Sequence, residues 1–208
     1  MRALSALFVL SMAMAALGQA TYSVPEIAAK VLPLLVMISS PEGQGSGIAI
    51  SDNGLVLTNW HVIDPYETDA AAFSIKTHDG RTRTVDSIVA FDPDADLAVI
   101  QVHGFAPGKP ISIADTTTIV VGEDVVAIGN PLGISEIVTR GIIEKYTPLY
   151  VYTSASISPG NSGGPLVDVH CKIVGINTYT KLRGQNINMA VAPRAIAFFL
   201  KSHGIALP

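Results

Sequence analysis

Cysteine is nearly absent from this chain of 208 residues, which contains Cys171 alone. A single thiol excludes a disulfide within the chain, so the fold must be held together by packing of apolar side chains. Cys171 lies between His170 and Lys172 at the start of an apolar run, which favours a semi-buried structural thiol over a nucleophile. Because 49% of the residues are hydrophobic, the chain is apolar enough to form one or two compact units.

Clusters of positive charge are also absent, and the net charge is -4. Nucleic acids and anionic membranes are usually bound through concentrated lysine and arginine, so neither is expected as the main partner. The isolated pair Arg81 and Arg83 is interpreted as part of a solvated loop. We therefore expect protein or peptide partners.

Long apolar runs are rare, and the one at residues 3–17 follows Arg2 and precedes small residues that end at Ala20. This order of charge, apolar core and small residues is typical of a secretory signal peptide. We expect residues 1–20 to be removed by cleavage after Ala20. An uncleaved membrane anchor is the alternative, but the run is short for a bilayer span. The sequence thus predicts an exported protein, periplasmic or secreted, without stable membrane insertion after cleavage.

Short apolar runs rich in valine and isoleucine dominate the chain after residue 36, separated by glycine, proline, asparagine and aspartate. Such runs, recurring at intervals of roughly ten residues, predict an all-β barrel or sandwich. The predicted strands lie at residues 47–50, 55–59, 73–77, 85–91, 97–102, 125–128, 141–144, 166–169, 173–178 and 187–191.

Two helices are predicted at the ends of this β region. Helical spacing of apolar residues begins at Val24, and Pro33 is expected to end or bend this short N-terminal helix. Apolar residues within 194–203 predict an amphipathic C-terminal helix packed on the second half of the chain, with Gly204 ending it.

A connector rich in glycine and proline lies between residues 102 and 120. Such residues interrupt regular structure, so the chain is expected to divide there into halves of similar size. We predict an N-terminal β unit at residues 21–105 and a C-terminal β unit at residues 106–208.

A single serine stands among glycines in the sequence GNSGGP at residues 160–165. A serine hydroxyl is a weak nucleophile unless a neighbouring base takes its proton and nearby donors stabilise the oxyanion. With no side chain on Gly160, a tight turn can aim the amides of Gly160 and Ser162 at one point, with Asn161 between them. We predict that Ser162 is a catalytic nucleophile and that Gly160, Asn161 and Ser162 form an oxyanion hole. A glycine-rich turn between two strands is the alternative.

A nucleophilic serine requires a histidine and an acid elsewhere in the chain. Of five histidines, His61 has a context that would fix its ring, since it directly follows an apolar strand. Asp92, Asp94 and Asp96 compete to accept a hydrogen bond from His61 Nδ1, and Asp96 is preferred because it directly precedes a predicted strand. The order of histidine, acid and serine matches one known arrangement of the triad and excludes the α/β-hydrolase order.

The three aspartates also invite comparison with a calcium-binding loop. That loop requires a central glycine and a terminal glutamate, whereas Leu97 and His103 occupy these places. We therefore expect no metal.

These residues resemble the chymotrypsin-like (trypsin-like) serine peptidases, and more closely their HtrA, or DegP-like, branch. The resemblance implies two six-stranded antiparallel β-barrels, with His61 and Asp96 on the first and Ser162 on the second. It also implies an endopeptidase that cleaves exported, unfolded proteins through an acyl-enzyme and needs no cofactor. A catalytically silent binding or chaperone-like protein is the alternative. The motifs that carry the resemblance are GSGIAIS at 45–51, LTNWHVI at 57–63, DLAVIQV at 96–102, VGEDVVAIGNPLG at 121–133, SPGNSGGPLV at 158–167 and VGINT at 174–178.

The chain departs from this family in several places. HtrA-type proteins usually carry PDZ domains after the protease, whereas this chain ends at Pro208, so PDZ control is not expected. The segment at residues 144–153 is shorter than the family's region of activation loops, which argues against a regulated inactive state. Only Tyr22 offers an aromatic residue for the family's N-terminal trimer contact, which leaves a homo-oligomer open.

Residues just before the nucleophile are expected to line the primary substrate pocket. Ser156 and Ile157 provide its wall, and Asn177 and Asn188 are expected to complete it. Asn188 stands where the family tends to have glycine or serine, so we expect it to narrow the pocket. Because no acid lies at the base, the sequence predicts small or medium aliphatic residues before the cleaved bond.

Overall fold

The structure is a computed structural model that describes residues 20–41, 43–64, 66, 69–130, 136–182 and 185–208. Apart from Ala20, the predicted signal peptide lies outside the described residues, as do residues 131–133 at the end of one family motif. None of the helices in these ranges is long and apolar enough to cross a membrane.

Six antiparallel strands form the first barrel. They are β1 (Leu35–Ser40), β2 (Gly43–Ala49), β3 (Leu55–Thr58), β4 (Ser74–Thr77), β5 (Thr82–Asp92) and β6 (Leu97–Val102). They lie in the order β1, β2, β3, β6, β5, β4. Strand β1 pairs with both β2 and β4, which closes the cylinder.

The second barrel also has six antiparallel strands. They are β7 (Asp124–Gly129), β8 (Ile137–Tyr146), β9 (Tyr150–Thr153), β10 (Pro165–Asp168), β11 (Ile173–Leu182) and β12 (Gln185–Val191). They repeat the topology of the first barrel in the order β10, β11, β12, β9, β8, β7, and the pairing of β10 with β7 closes the cylinder. The predicted fold of two six-stranded antiparallel β-barrels is therefore confirmed.

Each of the ten predicted apolar runs overlaps one of these strands, but β1 and β9 were not predicted. Strand β1 follows helix α1 (Val24–Val31) and a 3-10 turn (Leu32–Leu34) without a polar break, so its apolar residues extend the helical pattern. Strand β9 has only four residues and alternates buried with half-buried positions. Short strands without flanking glycine carry little signal in a single sequence.

Both flanking helices are present. Helix α1 buries Ile27 and Val31, and the backbone N–H of Ser23 donates to the Glu26 carboxylate at 2.8 Å. A four-residue helix α2 (Trp60–Ile63) follows β3, and helix α3 (Pro193–Ser202) buries its apolar face. Gly204 has φ +68°, the left-handed conformation common after a helix end.

Among the described residues, the larger of two apolar clusters spans both barrels. It joins Ile48 and Leu57 of the first barrel to Ile128 and Val167 of the second, and all four side chains are fully buried. Since apolar burial is the main stabilising contribution in folding, this shared core holds the two barrels in a defined relation. The cleft between them is therefore formed by two packed walls.

Candidate active site

A histidine and an aspartate meet at the open edge of the first barrel. His61 lies in helix α2, directly after β3, and Asp96 directly precedes β6. Because β3 pairs with β6, the end of one strand lies beside the start of the other. His61 Nδ1 is 2.9 Å from Asp96 Oδ1 and 3.0 Å from Oδ2. A carboxylate only accepts hydrogen bonds, so Nδ1 carries the proton and Nε2 of the neutral ring is an acceptor.

Several groups hold the Asp96 side chain in this position. Its backbone has φ +52°, and the Asn59 side-chain amide donates to its carbonyl oxygen at 2.9 Å. The backbone N–H of His61 donates to Oδ1 at 3.1 Å, and the Thr178 hydroxyl of β11 donates to Oδ2 at 2.9 Å. Both barrels therefore orient the carboxylate, and each of its oxygens accepts a further hydrogen bond besides that from the imidazole.

The other two candidate aspartates have different surroundings. Asp92 Oδ1 accepts from the backbone N–H groups of Asp94 and Ala95, at 2.9 and 3.0 Å, which stabilises the turn before β6. The side chain of Asp94 is exposed. Of the three aspartates, Asp96 is the one whose carboxylate contacts His61.

Ser162 lies in a tight turn at the edge of the second barrel. Gly160 and Gly163 adopt φ +98° and φ +86°, which glycine tolerates best. The turn is closed by the Asn161 amide, which donates to the Ser158 carbonyl at 3.0 Å. A Cβ atom on Gly163 would lie 2.0 Å from the backbone oxygen of Ser46, so a larger residue does not fit there. The glycines of this motif are therefore required by backbone conformation and by close packing of the two barrels.

One open cleft of about 340 Å³ brings the two walls together. His61 from the first barrel and Pro159, Gly160 and Ser162 from the second all line it. Ser162 is only 5% exposed, so it sits at the floor of the cleft. The remaining lining residues are Ser40, Gly43, Gln44, Val62 and Asp64.

A second cavity of about 270 Å³ lies beside the histidine and aspartate pair. Both His61 and Asp96 contribute to its lining, together with side chains that are mainly apolar or aromatic. His61 therefore lines both recesses of the surface. The other lining residues are Trp60, Pro93, Tyr150, Thr178 and Met189.

The predicted pocket residues lie in different environments. Ser156 is exposed, while Ile157 is buried and its amide donates to Asn188 Oδ1 at 3.0 Å. Asn177 is fully buried, and its side-chain amide donates to the carbonyls of Ile128 and Pro165 at 3.2 and 3.1 Å. The prediction of a substrate contact for Asn177 is therefore not kept, because this residue packs beneath the serine turn.

Two residues at the site were missed in the sequence. Thr178, which contacts Asp96, lies in the motif VGINT, and Ser46, whose N–H donates to the Ser162 carbonyl at 2.7 Å, lies in GSGIAIS. Both motifs contribute to the family resemblance, but neither assigns a role to the side chain of Thr178 or of Ser46. The roles depend on contacts between residues that are far apart in the chain.

The remaining buried ionisable groups lie away from the cleft. Burial raises the pKa of the Cys171 thiol, which suits a structural thiol. Burial also raises the pKa of Asp168, although two backbone amides donate to its carboxylate. Within the described ranges, no group of three or more histidine, cysteine, aspartate or glutamate side chains is arranged to hold a metal ion.

Comparison with known proteins places this geometry in context. Residues 45–176 match the trypsin-like peptidase domain family. The chain is 37% identical over 180 residues to serine protease PepD of Mycobacterium tuberculosis, covering 75% of this chain and 39% of that protein. It is 39% identical over 145 residues to the periplasmic serine endoprotease DegP of Escherichia coli, covering 64% and 29%. The chain thus spans less than half the length of these curated relatives.

Solved structures agree with this match. The serine endoprotease from Yersinia pestis superposes with a TM-score of 0.75 at 31% identity, covering 88% of this chain and 67% of that one. The HtrA-type protease AlgW, solved with a tripeptide, superposes with a TM-score of 0.74 at 28% identity, covering 88% and 65%. Both the sequence and the fold of the two barrels are therefore shared with HtrA-type proteins.

Proposed function

The chain belongs to the trypsin-like peptidase family, and from that premise we propose that it is a serine endopeptidase acting through Ser162, His61 and Asp96. The observation that carries this proposal is the contact of 2.9 Å between His61 Nδ1 and Asp96 Oδ1 at the wall of a cleft whose floor is Ser162. This is the arrangement in which an imidazole is oriented to take a proton from a serine hydroxyl.

In the proposed reaction, His61 Nε2 takes the Ser162 proton as the hydroxyl attacks a peptide carbonyl. Asp96 holds the Nδ1 proton and stabilises the imidazolium that forms. The backbone amides of Gly160 and Ser162 donate to the oxyanion of the tetrahedral intermediate. His61 then protonates the departing amine, and a water molecule deprotonated by the same ring releases the acyl group from Ser162.

We assign the primary substrate pocket to the segment before the nucleophile, with Ile157 in its wall and Ser156 at its exposed edge. Asn188 Oδ1 accepts a hydrogen bond from the Ile157 amide, so the Asn188 side chain occupies space next to that wall. An apolar wall without an acid supports a preference for small or medium aliphatic side chains before the cleaved bond. A lysine or arginine would be desolvated there without a counter-charge.

The proposed substrates are exported, unfolded proteins. An open cleft whose floor is the nucleophile admits an extended segment of chain, which a folded protein rarely exposes. The Escherichia coli relative is named a periplasmic serine endoprotease, and the leader predicted at residues 1–20 is consistent with export of this chain. We therefore propose a periplasmic or secreted enzyme, and a homo-oligomer stays a prediction.

Labelling with a fluorophosphonate probe tests this function directly, because the probe reacts with a serine that has an active base beside it. The wild-type protein should be labelled at Ser162 and should digest an unfolded protein, whereas Ser162→Ala should do neither. Loss of the nucleophile is expected to lower turnover by about 10⁶-fold while leaving the fold unchanged. Folded wild-type protein that is neither labelled nor active would instead favour a catalytically silent binding or chaperone-like protein.

A further inference from the structure

Ser46 lies on strand β2 of the first barrel, is fully buried and takes part in four hydrogen bonds. Its backbone N–H donates to the Ser162 carbonyl, and its carbonyl accepts from the Thr58 hydroxyl, both at 2.7 Å. Its side-chain oxygen lies 2.7 Å from the Gly160 carbonyl oxygen and 2.8 Å from the Asn130 amide nitrogen. A single residue of the first barrel thus contacts the serine turn at two points.

The chemistry of its partners determines the direction of the Ser46 hydroxyl bonds. A backbone carbonyl only accepts and a backbone amide only donates, so the hydroxyl donates to Gly160 and accepts from Asn130. Its one proton is therefore committed to the Gly160 carbonyl. Ser46 is fully buried, so removal of its hydroxyl takes a hydrogen-bond partner from both backbone groups at a position that solvent does not reach in the native protein.

This contact fixes one peptide plane in the serine turn. The plane joins Gly160 and Asn161, with its carbonyl held by Ser46 and its N–H held by the Ser158 carbonyl at 3.0 Å. A peptide unit is planar, so fixing both ends fixes its orientation. The two flanking amides, on Gly160 and Ser162, are the donors assigned to the oxyanion. Each of these amides is joined to the held plane through one Cα atom, that of Gly160 or of Asn161, so a change in the orientation of the plane acts on both donors.

We propose that Ser46 is a positioning residue for the oxyanion hole, acting from the opposite barrel through the Gly160 carbonyl. Being fully buried, it does not touch the substrate. Glycine has wide conformational freedom, so the turn at Gly160 requires an external contact to hold one conformation. This inference rests on the proposed peptidase function, and its test includes a measurement that does not depend on activity.

The first measurement compares Ser46→Ala with a control that also removes a buried hydroxyl. Thr77→Val is suitable, because Thr77 lies in β4, is 4% exposed and donates its hydroxyl proton to Asp79 Oδ1 at 2.5 Å, away from the cleft. With a peptide substrate, Ser46→Ala should lower kcat by about 10- to 100-fold and change KM by less than about threefold, since the oxyanion forms only in the transition state. The control should keep kcat within about twofold of the wild type.

The second measurement is amide hydrogen exchange, followed by NMR in the uninhibited protein. Loss of the Ser46 hydroxyl should speed exchange of the Asn130 amide, which loses its acceptor, and of the Asn161 amide, whose peptide plane is no longer held, by about tenfold or more. Thr77→Val should leave both amides unchanged. If Ser46→Ala does not fold, Ser46→Cys replaces it. Cysteine keeps a side-chain atom at the position of the hydroxyl oxygen, but its thiol donates only a weak hydrogen bond.

The outcomes separate the two proposals. A kcat for Ser46→Ala equal to that of Thr77→Val, or unchanged exchange at Asn130 and Asn161, would overturn the positioning role of Ser46. A wild-type protein without peptidase activity, combined with faster exchange in Ser46→Ala, would overturn the proposed function and retain the role of Ser46 in fixing the turn. Lower kcat together with faster exchange supports both.

Discussion

Replacing Asp96 with asparagine isolates the contribution of its charge, because the side chain keeps its size. The Asp96 carboxylate contacts His61 Nδ1 at 2.9 and 3.0 Å. Opposite unit charges about 4 Å apart attract by about 4 kcal/mol at an effective dielectric constant of about 20. That energy corresponds to about 10³-fold in rate. The His61 and Asp96 side chains are 42% and 22% exposed, so solvent screening reduces this electrostatic contribution.

A second effect acts on the proton of the imidazole. The His61 backbone N–H donates to Asp96 Oδ1, which favours an asparagine with its oxygen at that position and its NH₂ group near Nδ1. An NH₂ group that donates to Nδ1 shifts the proton to Nε2, which then no longer accepts the serine proton. We expect the two effects together to lower kcat of Asp96→Asn by about 10³- to 10⁴-fold.

The assay is steady-state hydrolysis of a peptide substrate, with Asp94→Asn as the matched control. Asp94 belongs to the same turn and its side chain is exposed, so the same chemical change should leave kcat within about twofold of the wild type. Circular dichroism and thermal unfolding show whether each variant is folded. Activity of Asp96→Asn within about tenfold of the wild type would refute the role of its charge, as would an equal loss in Asp94→Asn.

Two further predictions concern the pocket and the buried carboxyl group. A peptide-library digest should show cleavage after small or medium aliphatic residues, and a strong preference for lysine or arginine would contradict the pocket assignment. Asn188→Gly should raise kcat/KM for peptides with a larger residue at this position by about 10-fold or more. Burial raises the pKa of Asp168 above its ordinary value of 3.8, so the unfolded chain loses its proton at lower pH than the folded protein. The free energy of unfolding should therefore fall as pH rises from the pKa of Asp168 in the unfolded chain to its higher pKa in the folded protein. In urea unfolding between about pH 3 and pH 7, the free energy of unfolding of Asp168→Asn should fall less with pH than that of the wild type. An equal pH dependence of the two proteins would exclude a contribution from Asp168.

The pattern of apolar runs predicted an all-β barrel or sandwich, and the family resemblance specified two six-stranded barrels. Ten apolar runs marked ten of the twelve strands, because alternation of valine and isoleucine with turn residues reflects local backbone preference. Strands β1 and β9 were missed, since one continues the apolar pattern of a helix and the other has four residues. The chemistry of the site was also accessible, because a serine among glycines and a histidine after a strand are local features.

Contacts between distant residues required the tertiary structure. The sequence favoured Asp96 over Asp92 and Asp94 because it directly precedes a strand, but the contact of its carboxylate with Thr178 of the second barrel depends on the tertiary structure. Asn177 lies in a recognised motif, but its burial removes it from the pocket.

The sequence by itself determined which groups are present and in what order, because residue type and backbone preference are local properties. Only the tertiary structure decided which of them touch. The Ser46 hydroxyl and the Gly160 carbonyl are separated by 114 positions in the chain and lie 2.7 Å apart. Such a contact depends on the packing of two barrels against one another, and no local pattern encodes it.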